Sequence, residues 1–142
     1  MTNNQKGHAM TAATSFSVSD RESTPVSHTF NPNGFSKDNL VAFFKNEGDV
    51  SIEDEKFSIS WRESSTNRKV RIKLEVPVVV TETINAVDVP KLVRVAICDA
   101  TFTFSKSSTL QERKNAVGMF ANAMAASVTV VNSTLTGTEA IW

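Results

Sequence analysis

Two runs of strict alternation constrain this chain more than any other feature in it: Lys56-Phe57-Ser58-Ile59-Ser60-Trp61-Arg62 and Lys69-Val70-Arg71-Ile72-Lys73-Leu74-Glu75-Val76. Side chains of a strand point alternately to opposite faces, so a period of two over this length predicts paired strands with one buried and one wet side. The polar connector Glu63 to Arg68 has hairpin length. One face then carries Phe57, Ile59, Trp61, Val70, Ile72, Leu74 and Val76. The other carries Ser58, Ser60, Arg62, Lys69, Arg71, Lys73 and Glu75.

Around this hairpin the chain reads as further short strands. Ser15 to Ser19 and Val26 to Phe30 alternate on either side of a turn-rich connection, a second hairpin pattern, and Asn31-Pro32-Asn33-Gly34 is a turn signal. Leu40 to Phe44 is continuously apolar and too short for periodicity to decide; a strand is favoured over a short helix. The segment between Pro77 and Pro90 is expected to be a long loop. Val93 to Phe104 is strand-like, with Cys98, Ala100, Phe102 and Phe104 on one face and Ile97, Asp99, Thr101 and Thr103 on the other. The pattern amounts to about six strands.

Thr109 followed by Glu112 predicts a helix start, each residue able to satisfy the other's backbone N–H. Leu110, Val117, Phe120, Ala121, Met124, Ala125 and Val128 then recur at helical spacing as one apolar stripe. Thr129 to Trp142 has room for one further short helix. The first nine or so residues are polar and patternless, and 1–14 are expected to be a flexible tail of a single domain spanning 1–142.

The single cysteine cannot form an intrachain disulfide, so Cys98 is expected to be a buried thiol. The N-terminus lacks the apolar block of a signal peptide, which predicts folding in a reducing cytoplasm, and no apolar run is long enough to suggest a membrane segment. His8 and His28 lack the spacing of a metal pair, and no phosphate-binding glycine loop, zinc-protease motif or nucleophile elbow is present. No catalytic residue, metal or cofactor is expected. The net charge of zero conceals a segregation: Glu47 to Glu55 holds five acids and no base, whereas Lys56 to Lys73 holds six bases against Glu63 alone.

Five strands at about 4.8 Å spacing form a sheet roughly 24 Å wide, and one helix with its side chains covers only about 10 to 12 Å. A symmetric dimer whose two helices share the cover is the expected solution. Leu110, Val117, Phe120, Ala121 and Met124 are the candidate interface residues. Gly118, in the same helix, admits close approach of another helix or is a tolerated surface glycine. On the polar face, a solvated mixed-charge surface is the ordinary alternative to a binding site. Four cations beside two serine hydroxyls nevertheless suit phosphates, with unstacked bases within reach.

The run Asn67-Arg68-Lys69-Val70-Arg71-Ile72-Lys73-Leu74-Glu75-Val76-Pro77 resembles the central hairpin strand of levivirus coat proteins. Ser58-x-Ser60-x-Arg62-x-Ser64-Ser65 upstream and Asp88-Val89-Pro90 downstream resemble flanking segments of that family. The resemblance spans about Phe16 to Trp142, with its specific part in the hairpin. It implies an α+β fold: an N-terminal β-hairpin, a five-stranded antiparallel sheet, and two C-terminal helices interlocked with those of a second subunit. It further implies assembly of homodimers into an icosahedral shell, located in the virion and built in the bacterial host cytoplasm. The loop from about Val80 to Val89 would switch conformation between symmetry environments. The partner would be viral single-stranded RNA, gripped as a stem-loop that represses translation and marks the genome for packaging. Carried over by position, the RNA-facing candidates are Ser58, Ser60, Arg62, Asn67, Lys69, Arg71 and Lys73.

The chain departs from that pattern in two places. Ile97 stands where the family can supply a base-stacking tyrosine, and the chain contains no tyrosine at all. Arg71 stands where a small hydroxyl residue can occur. Two rival readings share the basic face without needing a shell. One is a non-assembling β-sheet RNA-binding module; the other is a small α+β enzyme or inhibitor with a chance basic sheet.

Overall fold

Short polar connections between alternating segments leave each strand nearest in space to its sequence neighbour, and the result is a six-stranded antiparallel sheet in chain order. The computed structural model describes residues 11–142. Its elements are β1 (Phe16–Ser19), β2 (Ser27–Phe35), β3 (Val41–Asn46), β4 (Glu55–Glu63), β5 (Asn67–Ile84), β6 (Val87–Ser105), α1 (Leu110–Ala123) and α2 (Thr129–Thr136), with a 3-10 turn at Ser51–Glu53. Most of the expected flexible tail, together with His8, lies outside the described residues; 11–15 carry no regular secondary structure.

The sheet matches the count of about six strands read from the pattern and has one strand more than the five that the resemblance implied, because β2 pairs with β1 through Phe16↔Phe30 and also with β3 through Asn31↔Lys45. The Asn31 to Gly34 turn signal is realised as an irregularity inside β2. The register shifts between Pro32 and Phe35, where Gly34 takes φ +90°, a conformation side chains strongly disfavour. Of Leu40 to Phe44, all but Leu40 resolves as strand, since β3 pairs with β4 along its whole length from Val41.

The expected loop between Pro77 and Pro90 is instead the far end of a long hairpin. β5 and β6 run on to a two-residue turn at Asn85 and Ala86, both at positive φ as a type I′ turn requires. Proline is tolerated there because β4 stops short: the pairing of β4 with β5 begins at Lys56↔Glu75, so no neighbour on that side needs the missing N–H of Pro77. Pro90 lies in β6, the last strand of the sheet.

The chain forms two compact units, one running to Ser64 and over 68–103, the other comprising 65–67 and 104–142. In the first, Phe16, Phe30, Phe44 and Phe57 form an aromatic cluster. Phe16 stacks on Phe30 at 5.4 Å and meets Phe44 and Phe57 edge-on at 5.2 and 5.0 Å. Such pairs contribute about 0.5 to 1.5 kcal/mol each beyond area burial, so this cluster joins β1 to β4. Among the described residues only Phe30 and Phe44 are buried hydrophobics. Cys98, expected to be buried, is exposed in the single chain, as is most of β6.

A polar clamp fastens the same end of the sheet. His28 on β2 places Nε2 2.8 Å from Asp20 Oδ2 and Nδ1 2.7 Å from Glu55 Oε1 at the start of β4. Asp20 also accepts from the backbone N–H groups of Val26 and Glu22, and Asn46 donates to Glu55 at 2.7 Å. The hydrogen bond to His28, with those backbone donors, lowers Asp20 to about 2, while Asp20 and then Glu55 raise His28.

In the second unit α1 starts where expected. Thr109 accepts from the Glu112 N–H at 3.2 Å and Glu112 accepts from the Thr109 N–H at 2.8 Å. The helix ends earlier than the apolar stripe suggested: Met124 is its C-cap, and Ala125 and Val128 fall beyond it. No residue of α1 or α2 is buried, and Leu110, Val117, Met119, Phe120 and Met124 are exposed.

Candidate nucleic-acid interface

Register decides which alternating side chains become neighbours. β4 and β5 pair Ser58↔Lys73, Ser60↔Arg71 and Arg62↔Lys69, so the hydroxyls and cations of the two strands stand in facing rows on one side of the sheet. β3 extends the rows, with Val41 opposite Ser60 and Phe43 opposite Ser58. The other parity, with Phe44↔Phe57, Ile59↔Ile72 and Trp61↔Val70, forms the apolar side.

The polar side is concave. An open hollow of about 540 Å³ is lined by Ser58, Ser60, Arg62, Lys69, Arg71 and Lys73, joined by Val41, Asp99 and Thr101. Six of the seven sequence-derived RNA candidates therefore converge. Asn67, at the first position of β5, is not among the lining residues. Val41, Asp99 and Thr101 were missed as lining residues. The alternation of β6 does put Asp99 and Thr101 on one face, but nothing in the sequence reveals which β5 residues they oppose.

Charge on this surface is uneven. Arg71 Nε donates to Asp99 Oδ1 at 2.9 Å and to Oδ2 at 3.1 Å, and its terminal nitrogen donates to Oδ2 as well. This contact raises Arg71; it lowers Asp99, with the charges of Arg71 and Lys73 adding to the effect. Lys73 Nζ lies 2.8 Å from Glu75 Oε1. Arg62 and Lys69 have no ion-pair partner among the described residues and face each other across β4 and β5. An array of cations and short hydroxyls on an open concave sheet can hold an extended polyanion. Among the described residues no group of three or more His, Cys, Asp or Glu side chains could hold a metal ion, and no helix is long and apolar enough to cross a membrane.

A family model described as levivirus coat protein matches residues 11–142. The chain belongs to the levivirus coat protein family. A curated capsid protein of Pseudomonas phage PRR1 is 36% identical to this coat protein over 126 residues, covering 88% of this chain and 95% of the relative. The fold agrees with solved structures. The virus-like particle of bacteriophage ESE058 superimposes with a TM-score of 0.82 at 18% identity, covering 93% of this chain and all of the other. A structure described as an unassembled virus coat protein dimer, a bacteriophage RNA-binding dimer, gives a TM-score of 0.57 at 20% identity over 92% and 98% of the two chains. The antiparallel sheet followed by two helices is thus the coat protein fold, and the curated relative is a structural capsid protein, not an enzyme.

Proposed function

We propose that this coat protein dimerises, that the dimers close into an icosahedral shell around an RNA genome, and that the concave cationic face of the sheet grips an RNA stem-loop, repressing translation and marking the genome for packaging. The carrying observation is the convergence of Ser58, Ser60, Arg62, Lys69, Arg71 and Lys73 on one hollow. On this reading these residues contact RNA, and Asn67, at the β5 end of the turn, meets it outside the hollow.

Dimerisation is supported by what one chain leaves uncovered. Each large apolar side chain of α1 that moves from water into a contact stabilises it by about 1.5 to 3 kcal/mol, and α1 exposes four, with Met124 at its C-cap a fifth. Leu110, Val117, Phe120, Ala121 and Met124 are assigned to that contact. The structure described as a coat protein dimer and the named virus-like particle supply the precedent. The segment from about Val80 to Val89, with the hairpin turn at Asn85 and Ala86, is the one assigned to change conformation between symmetry environments. Assembly takes place in the bacterial host cytoplasm, and the product is the virion.

Expression of the full chain followed by negative-stain microscopy tests assembly: closed particles containing RNA are expected, and soluble species without shells would favour a non-assembling RNA-binding module. Binding of Arg62→Ala, Lys69→Ala and Lys73→Ala variants to labelled RNA tests the face. Unchanged affinity in all three would remove it as the interface.

A further inference from the structure

The chain has nine phenylalanines and no tyrosine, and the sheet keeps most of its aromatic rings on the apolar side. Phe43 breaks that rule. Among the described residues of β3, β4 and β5 it is the single aromatic that the register puts on the cationic side, directly opposite Ser58, which in turn faces Lys73. Its neighbour Phe44 points the other way into the aromatic cluster and is buried, while Phe43 is 41% exposed and takes no part in that cluster. A second hollow, of about 420 Å³, is lined by Phe43 together with Asn33, Phe44, Lys56, Phe57, Ser58, Lys73 and Glu75. Ser58 and Lys73 line both hollows, so the ring borders ground continuous with the cationic concavity.

We propose that Phe43 is the base-stacking platform of this face: an unpaired RNA base lies on its ring while Lys56 and Lys73 hold the phosphates beside it. This rests on the RNA-binding reading of the concave face and adds to it the residue that reads unstacked bases. Neighbouring strands lie about 4.8 Å apart, which puts the Lys73 backbone roughly 10 Å from that of Phe43 across β4. Cationic grooves that track a single strand use aromatic rings in this way, because every base presents a π-face and loses less on leaving its own stack if a ring replaces it. Adenine, with the larger face, gains more than uracil.

The test uses the purified full chain, freed of nucleic acid, with A20 and U20 oligoribonucleotides as probes. Phe43→Leu keeps an apolar side chain of similar size and removes the π-face. It is expected to weaken A20 binding about ten-fold, to narrow the preference for A20 over U20, and to leave the salt dependence unchanged. Phe43→Trp is expected to keep the affinity and to add fluorescence quenched by A20 beyond the wild-type signal of Trp61 and Trp142. Wild-type affinity in Phe43→Leu, or no added quenching in Phe43→Trp while A20 binds, overturns the stacking role and leaves the cationic face standing if Lys73→Ala still weakens binding. Shell failure in Phe43→Leu with normal A20 affinity overturns it in favour of a contact between subunits. Absence of A20 and U20 binding by the wild type overturns the stacking role, and the cationic face is then decided by the labelled-RNA affinities of the Arg62, Lys69 and Lys73 variants.

Discussion

Arg71 on β5 and Asp99 on β6 are joined across the floor of the concave face by a forked contact in which the guanidinium donates to both carboxylate oxygens. Both residues line the hollow, and the pair leaves the field there weaker than four cations would produce. Substituting Asp99→Asn keeps the shape and removes the opposing charge, so Arg71 becomes available to phosphate. RNA is expected to bind more tightly at low salt, with the slope of log K against log salt steeper by about 0.7. Titrations at several salt concentrations measure it, and an unchanged slope would mean that Arg71 never reaches a phosphate.

Arg62 and Lys69 stand directly opposite each other on β4 and β5. Like charges so placed destabilise a sheet by roughly 0.2 to 1 kcal/mol, while both are assigned to phosphate. Lys69→Ala is therefore expected to move two properties in opposite directions: stability unchanged or raised by a few tenths of a kcal/mol, and a salt slope for RNA shallower by about 0.7. A variant that loses stability in urea titration would show Lys69 to be structural.

The His28 clamp predicts a pH optimum for the N-terminal hairpin. His28 is raised by Asp20 and Glu55, so its stabilisation is complete below its ordinary value of 6.5 and fades as pH rises through the higher folded value. Asp20 is lowered to about 2, so its part is complete above its ordinary value of 3.8 and is lost as pH falls through the lower one. The clamp is strongest between those ordinary values. Thermal unfolding is expected to show greater stability at about pH 5 than at about pH 8.5, and His28→Gln is expected to flatten the difference. A pH profile identical in the two proteins would assign the dependence elsewhere.

Val117 and Phe120 are 43% and 45% exposed in the single chain, and a charge at Val117 costs little unless a second subunit covers it. Val117→Asp and Phe120→Asp are expected to abolish dimers and particles, read by sedimentation and light scattering. Wild-type particles from either variant would move the interface off α1.

Ala86 holds φ +62° at the turn between β5 and β6, where a side chain is strained by about 1 kcal/mol. Ala86→Gly removes the clash and is expected to raise stability by up to that amount, measured by the urea midpoint. A loss would show that Ala86 makes a contact worth more than the strain.

The parts of the fold visible in sequence are those with local causes. Alternation in Lys56 to Val76 marks the hairpin and sorts its side chains by face, because the period of two belongs to the strand itself. The Thr109–Glu112 exchange marks the helix start because a cap is satisfied within a single turn. The face holding Ser58, Ser60, Arg62, Lys69, Arg71 and Lys73 was legible for the same reason.

Pairing across strands is not local, and there the tertiary structure decided. Only the register of β3 on β4 puts Phe43 beside Ser58, since a continuous apolar run has no period to betray which ring faces out. Only the union of β5 and β6 sets Asp99 against Arg71 and draws the stretch between Pro77 and Pro90 into strands. Hydrogen bonds between distant segments fix those choices, and no residue carries a record of which partner it will meet.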